Sequence, residues 1–249
     1  MTALRVFFFF IISIFFSCHS TSKKEILRIA TASNAKYALI DIANSYKQKH
    51  NIEIEVISAS SGKLTAQIKQ AAPYDIFVSA DIKFPMSLYN TAYCKQQPKT
   101  YAYGQLVLWS MHDSLINETN LCDKTLDNFA IANPISSPYG QASIEVLNHY
   151  NCQTGSAKML MGENINKTSQ LIRESAVSFG FSAASIVHNK INKGMGHWKL
   201  VPKNSYQPIA QSAVVLSRTQ HSHSDNFFNY LFSPEAQKIL RNYGYRIPK

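Results

Sequence analysis

The chain has 249 residues, of which 45% are hydrophobic, and its 25 Lys and Arg against 15 Asp and Glu give a net charge of +10. This length and apolar content predict a packed globular protein of one large or two modest domains, not a disordered chain. A positive surface attracts anions, anionic lipid or nucleic acid. Because no dense Lys/Arg block is interleaved with aromatic residues, we expect a small anion or a membrane rather than nucleic acid.

The first residues predict export from the cytoplasm. Arg5 gives a short basic start, and the apolar run Val6–Phe16 is too short to span a bilayer comfortably. The segment that ends at Cys18 resembles a bacterial lipoprotein box, in which the cysteine is acylated and becomes the new N-terminus. We therefore expect a signal peptide over residues 1–17, a lipid-anchored tether over 18–24, and a periplasmic or cell-surface protein. An ordinary cleaved signal or an uncleaved anchor are the alternatives.

Three cysteines remain after Cys18, namely Cys94, Cys122 and Cys152. They have no Cys-x-x-Cys spacing of the kind that binds metals, and their odd number leaves at least one unpaired in a monomer. Cys122 with Cys152 is the pair that we would test first, although buried free thiols fit the sequence as well.

Strands and helices alternate along the chain. The apolar run Ile26–Ala32 predicts a buried strand, and the helical spacing that follows it predicts an amphipathic helix. A strand around residues 52–56, a short helix around Leu64 and Ile68, and a strand at Ile76–Ser79 continue the order. Strand-helix-strand-helix-strand favours a parallel sheet with helices on both faces.

The same alternation restarts after a strand at Gln105–Ser110, with elements predicted from Phe129 to Lys190. A strand over Ile209–Ser217 then precedes a helical stretch over Ser224–Tyr243. The predicted fold is therefore α/β with two doubly wound lobes joined by two crossing strands. We assign residues 25–103 and 216–249 to lobe 1 and residues 104–215 to lobe 2.

Two serine-bearing turns, Thr31–Asn34 and Ser58–Lys63, each lie between a predicted strand and a predicted helix. Turns of this kind direct backbone N–H groups, hydroxyls and the positive end of a helix dipole at one point, and so bind anions without a metal. Ser137–Gln141 and Asn164–Thr168 are matching helix starts in the second lobe. In a two-lobed α/β protein, such strand ends face each other across a cleft.

Several strings of the chain together resemble one known family. They are Ala59–Leu64, Ala72–Asp81, Tyr101–Ser110, Ser137–Ala142, Gly180–Ser185, Ser233–Gln237 and Tyr243–Tyr245. The family is that of the periplasmic molybdate-binding proteins of molybdate ABC importers, within the type II periplasmic binding protein superfamily. The resemblance runs from about Ile26 to the C-terminus, and it implies a monomeric receptor without catalytic activity or a cofactor, which delivers an oxyanion to a membrane permease.

The resemblance implies anion contacts at Ser33, Asn34 and Ser61, and at the backbone of Tyr139 and Ile165. Some members of the family add a tyrosine hydroxyl at a position that is alanine in this chain. Molybdate and tungstate carry no proton near neutral pH, so their site needs donors only, and no carboxylate lies within the four turns. Sulfate has the same charge and shape, so the choice of molybdate or tungstate over sulfate comes from the resemblance alone.

Two other classes of function are weaker. Ser60–Lys63 fits S-x-x-K and Ser224–Asn226 spells S-D-N, which are motifs of exported penicillin-recognising serine hydrolases, but the K-T-G element that should follow is missing. His221 and His223, with His188 and His197, raise metal binding; a His-x-His pair without a cysteine or carboxylate cluster is a weak ligand pattern.

Overall fold

The computed structural model describes residues 25–112, 128–152 and 158–248. The predicted signal peptide, tether and lipidation site at Cys18 lie outside these ranges. Within them, no helix is long and apolar enough to cross a membrane. The strands are β1 (Ile26–Ala32), β2 (Glu53–Ala59), β3 (Ile76–Ser79), β4 (Lys99–Gly104), β5 (Leu106–Ser110), β6 (Asn128–Ala132), β7 (Lys158–Gly162), β8 (Phe179–Ala183), β9 (His197–Leu200) and β10 (Ile209–Val215). The helices are α1 (Lys36–His50), α2 (Ser61–Lys69), α3 (Lys83–Tyr89), α4 (Pro138–His149), α5 (Ile165–Arg173), α6 (Ala184–Val187), α7 (Ser224–Tyr230) and α8 (Pro234–Asn242).

The ten strands form two five-stranded sheets, so the predicted two-lobed α/β fold is confirmed. Their orders are β2-β1-β3-β10-β4 and β7-β6-β8-β5-β9. In each sheet three neighbouring strands are parallel, a fourth pairs with them in the antiparallel direction, and the fifth pairs antiparallel to the fourth. The sheets are therefore mixed, whereas strand-helix alternation alone indicated a parallel sheet.

The side chains of β1 pack on both faces of the first sheet. Leu27 and Ile29 belong to one apolar cluster with α1, α7 and α8, and Ala30 belongs to a second cluster with residues of α2 and α3. Burial on both faces explains why β1 is an almost continuous apolar run, since strands covered on both sides do not alternate with polar residues. Helices thus cover both faces of the first sheet, as in the doubly wound arrangement predicted for this lobe.

The chain crosses between the sheets twice. β4 and β5 are separated only by Gln105, and the return runs from β9 to β10. β10 pairs with β3 and β4 of the first sheet, whereas the sequence analysis assigned residues 209–215 to the second lobe. The local pattern of an apolar strand does not indicate which sheet it joins. The sequence therefore could not predict the point at which the chain returns to the first sheet.

The stretch predicted as helical over Ser224–Tyr243 consists of two helices. Ser233 begins the second, because its hydroxyl accepts a hydrogen bond from the N–H of Ala236 at 3.2 Å, and Pro234 occupies the first helical position. Serine as the cap and proline next to it are strong signals for a helix start. α7 and α8 pack around α1 in the first core cluster.

Candidate ligand-binding cleft

Four helical segments follow the carboxyl ends of neighbouring parallel strands, two in each lobe. In lobe 1, β1 leads into a 3-10 turn at Ser33–Ala35 and β2 leads into α2. In lobe 2, β6 leads towards α4 and β7 towards α5. Because β1 lies beside β2 and β6 lies beside β7, each lobe presents a pair of adjacent N-termini.

Direct contacts hold the two pairs of N-termini against each other. The N–H of Gly62 donates to the carbonyl of Ser136 at 2.9 Å, and Asn166 Nδ2 donates to the carbonyl of Ser33 at 2.7 Å. A Cβ built on Gly62 would lie 2.9 Å from Ser136 Cα, so only glycine permits this approach. The four turns that the sequence analysis singled out are thus brought together at one place.

Four of the predicted site residues lie, buried, at the starts of helical segments. Ser61, Tyr139 and Ile165 lie in the first turns of their helices, where an N–H has no intrahelical acceptor. Ser33 starts the 3-10 turn after β1. All four residues are at least 96% buried, and no loop or turn hydrogen bond uses the amides of Ser61, Tyr139 or Ile165 within the described part of the chain.

The side chains of the serines and of Asn164 complete these turns. Asn164 Oδ1 accepts from the N–H groups of Asn166 and Lys167, both at 3.1 Å, and so caps α5. The hydroxyl of Ser61 accepts from the N–H of Ala80 at 3.0 Å. The hydroxyl of Ser33 makes no hydrogen bond to any described residue, so it is free to serve a ligand.

Asn34 behaves differently from the other predicted contacts, because its side chain lies in a buried polar network. Its Nδ2 donates to Tyr245 Oη at 2.8 Å and to Gln211 Oε1 at 2.9 Å, while its own Oδ1 has no partner. Its carbonyl accepts from Ser185 Oγ of lobe 2 at 2.8 Å. The residue therefore joins the lobes at the base of the cleft.

Tyr139 also belongs to this network. Its hydroxyl accepts from Gln211 Nε2 at 3.0 Å and lies against Gly104, where a Cβ would leave it no room. Burial, reinforced by Tyr245 and Tyr101, raises the pKa of Tyr139 well above its usual range, so the phenol stays neutral. The structure thus directs the Tyr139 hydroxyl towards the crossing strands, which leaves its backbone for the helix N-terminus.

Sequence reasoning missed Gln211 and Tyr245, which hold Asn34 from β10 and from the segment after α8. Neither carries a local signal of a site, because each contacts Asn34 from far along the chain. The separations are 177 residues for Gln211 and 211 residues for Tyr245. Only the three-dimensional fold brings them together. Asn166, in contrast, lies within a segment that the sequence analysis had selected.

The side chains of the hydrolase and metal alternatives are engaged elsewhere. Lys63 Nζ lies 2.6 Å from Glu163 Oε1 of the other lobe. Ser224 Oγ hydrogen-bonds to the hydroxyl of Thr219, which lies between β10 and α7. In the described ranges, no group of three or more His, Cys, Asp or Glu side chains could hold a metal ion. His223 packs against the rings of His50 and His221.

The cysteines divide between two states. Cys94 is a buried free thiol, and burial raises its pKa to about 12. Cys152 is disulfide-bonded. Cys122 lies outside the described residues, so its pairing with Cys152 stays a prediction.

Comparison with known proteins defines the class to which this fold and cleft belong. Residues 27–246 match the family described as bacterial extracellular solute-binding protein, and the chain belongs to that family. The molybdate-binding protein ModA of Rhodobacter capsulatus is 33% identical over 220 residues, which cover 87% of this chain and 86% of the relative. A putative ABC transporter substrate-binding lipoprotein of Bacillus subtilis is 26% identical, covering 92% and 89%.

A solved structure agrees with this assignment. The periplasmic molybdate-binding protein of Azotobacter vinelandii superposes with a TM-score of 0.85 at 30% identity, covering 90% of this chain and 100% of that one. The resemblance to periplasmic molybdate-binding proteins that the sequence strings predicted is therefore confirmed.

Proposed function

We propose that the chain is the substrate-binding protein of an ABC importer and that it captures molybdate or tungstate in the cleft between its lobes. The observation that supports this most directly is the set of four buried helical starts, drawn from both lobes, at Ser33, Ser61, Tyr139 and Ile165. Amides and helix dipoles stabilise a dianion without a countercharge.

The donor set favours an oxyanion that carries no proton. None of the five predicted contact residues is acidic, and Glu163, whose carboxylate lies next to the start of α5, is paired with Lys63. A protonated phosphate would need an acceptor that these turns do not supply. Sulfate meets the same requirement as molybdate, so sulfate binding is the alternative, and the family relationship favours molybdate.

A thermal-shift and calorimetry panel tests the proposal. Purified protein is mixed with molybdate, tungstate, sulfate, phosphate and chromate, since a ligand that binds only the folded state raises the melting temperature by an amount that grows with the logarithm of its concentration over its Kd. We expect a rise with molybdate and tungstate at concentrations where sulfate and phosphate have none. A rise with sulfate of equal size would shift the assignment to general dianion binding, and no rise with any oxyanion would contradict it.

The same proposal places the protein outside the cytoplasm, anchored by acyl groups on Cys18 and acting as a monomer that docks with a membrane permease. The sequence resemblance of the segment before Cys18 to a lipoprotein box supports the anchor. Fractionation tests it: the wild-type protein should sediment with membranes, whereas Cys18→Ala should not incorporate labelled palmitate. Equal palmitate incorporation by both would contradict lipidation at this residue.

A further inference from the structure

Two clefts between the lobes adjoin the predicted anion turns, and they differ in charge. The basic cleft, of about 200 Å³, is lined by Lys36 of lobe 1 and by Lys167 and Arg173 of lobe 2. The acidic cleft, of about 170 Å³, is lined by Asp81, Glu145 and Lys83. At neutral pH, three cations thus line the first cleft, whereas two carboxylates and one lysine line the second.

The three cations of the basic cleft are not neutralised. Lys36 Nζ lies 5.6 Å from the Tyr37 ring centroid, Lys167 Nζ donates to Gln170 Oε1 at 3.2 Å, and Arg173 Nη1 donates to Asn192 Oδ1 at 3.3 Å. Within the described ranges, none of them lies within ion-pair distance of a carboxylate. Glu174, which follows Arg173, accepts a hydrogen bond from Gln170.

The basic cleft is also next to the predicted anion turns. Lys36 follows the 3-10 turn that Ser33 begins, and Lys167 lies two residues after Ile165. Asn166 lines the cleft and donates to the carbonyl of Ser33 at 2.7 Å, so this side chain belongs to both places. Lys36 and Arg173 are half-buried, which strengthens their field at the cleft because low-dielectric walls screen charges less than water does.

We propose that the basic cleft is a separate, weaker capture site for small oxyanion dianions and the route by which they reach the buried turns. The delivery of the anion to the buried turns rests on the proposed function, whereas its attraction to the basic cleft rests on the charges of the cleft alone. A dianion is attracted by three unpaired cations and repelled by the two carboxylates of the acidic cleft. Anions are held at the basic cleft by charge and then transferred to the amides of the helix N-termini.

Association kinetics test the role of the cleft. The variant Lys36→Gln, Lys167→Gln and Arg173→Gln is compared by stopped flow with the control Lys69→Gln, Lys238→Gln and Arg241→Gln, which removes the same three charges from exposed positions outside the cleft. For molybdate at low ionic strength, we expect the association rate constant of the cleft variant to be about tenfold lower than that of the control. The difference should vanish at about 1 M salt, and the dissociation rate should not change.

Equal association rates for the two variants would overturn the inference, as would a change in dissociation alone. NMR of backbone amide and arginine side-chain N–H groups separates a failure of the capture site from a failure of the proposed function. Under titration with molybdate, we expect fast-exchange shifts at the Arg173 Nε–H at millimolar concentration, and slow-exchange changes at the Ser61 amide. Absence of the shift at Arg173 contradicts the capture site, whereas absence of the change at Ser61 alone contradicts the proposed binding pocket.

Discussion

The ammonium group of Lys63 lies 2.6 Å from the carboxylate of Glu163, and this ion pair joins the two lobes at the edge of the predicted anion site. Lys63 belongs to the first turn of α2, and Glu163 directly precedes the cap of α5. The side chains are 52% and 54% exposed, so solvent weakens the pair. Exposed pairs contribute at most about 1 kcal/mol, which suits a contact that slows opening without preventing it.

For this pair we expect Lys63→Gln and Glu163→Gln each to raise the dissociation rate of bound anion by up to about fivefold at low salt. A double-mutant cycle should show coupling, because each change removes the same contact, and the coupling should fall as salt screens it. Stopped-flow dissociation at two ionic strengths provides the measurement. Fully additive effects at low salt would show that the pair does not stabilise the closed arrangement.

Gly62→Ala tests how closely the lobes must approach. The new Cβ would lie 2.9 Å from Ser136 Cα across the cleft, and overpacking of this kind costs about 1 to 3 kcal/mol. We expect anion affinity to fall by that amount in calorimetry. Alanine is also the better helix former by up to about 1 kcal/mol, so the unliganded protein should be as stable as wild type or more so in denaturant unfolding. Unchanged affinity would contradict the need for this contact.

The two serines of lobe 1 are expected to differ as ligand contacts. Ser61→Ala should weaken anion binding by about 1 to 3 kcal/mol, part of which comes from leaving the Ala80 N–H without its acceptor. Ser33→Ala has no such side effect among the described residues, so its loss of affinity reports the ligand directly. Ser87→Ala, which removes a hydroxyl that donates to the carbonyl of Phe84, is the matched control. Wild-type affinity in both site variants would argue against the pocket.

His223 makes stability depend on pH. Desolvation, followed by the charges of His221 and His50, lowers the pKa of His223 in the folded state, while Tyr46 Oη lies 3.0 Å from its Nδ1. The unfolded state therefore binds the proton more tightly. The free energy of unfolding should be fully retained above the unfolded pKa of about 6.5 and should fall as pH drops below it.

Urea unfolding at pH 7.5 and pH 5.5 checks this dependence. His223→Gln should reduce the loss of stability between the two pH values, whereas His149→Gln, a change at an exposed position, should leave it as in wild type. An equal loss in His223→Gln and wild type would assign the pH dependence to other groups.

Thiol titration tests the cysteine assignments in a soluble form that begins at residue 19. Cys94 is buried and its pKa is raised to about 12, so it should not react with a thiol reagent in the native state. In denaturant without reductant, one thiol per chain should react if Cys122 pairs with Cys152. Three reactive thiols in the monomer would contradict that pairing.

Local patterns predicted much of the fold and of the site. The turns at Ser33, Ser61, Tyr139 and Ile165 were found because each lies in a contiguous strand-turn-helix unit, whose cap and periodicity are short-range signals. The pairing of β10 with the first sheet could not be found in this way, because its partners are far away in the chain.

Asn34 shows the same limit at the level of one residue. Its position at a helix start predicts a place at the cleft, but its side chain is oriented by Gln211 and Tyr245. A polar network of this kind depends on tertiary contacts, and no spacing in the sequence encodes it. Asn34 is therefore as much a junction between the lobes as a candidate ligand contact.

The position of β10 between β3 and β4 has a consequence for how the chain folds. All strands of the second sheet come from residues 106–200, so that sheet can form from one contiguous segment. The first sheet lacks a central member until residues 209–215 arrive, and until then β3 and β4 expose unpaired edges that invite aggregation. The first sheet therefore starts to form before the second but is completed after it. A chain truncated before residue 209 would keep all strands of the second sheet and lose the central strand of the first.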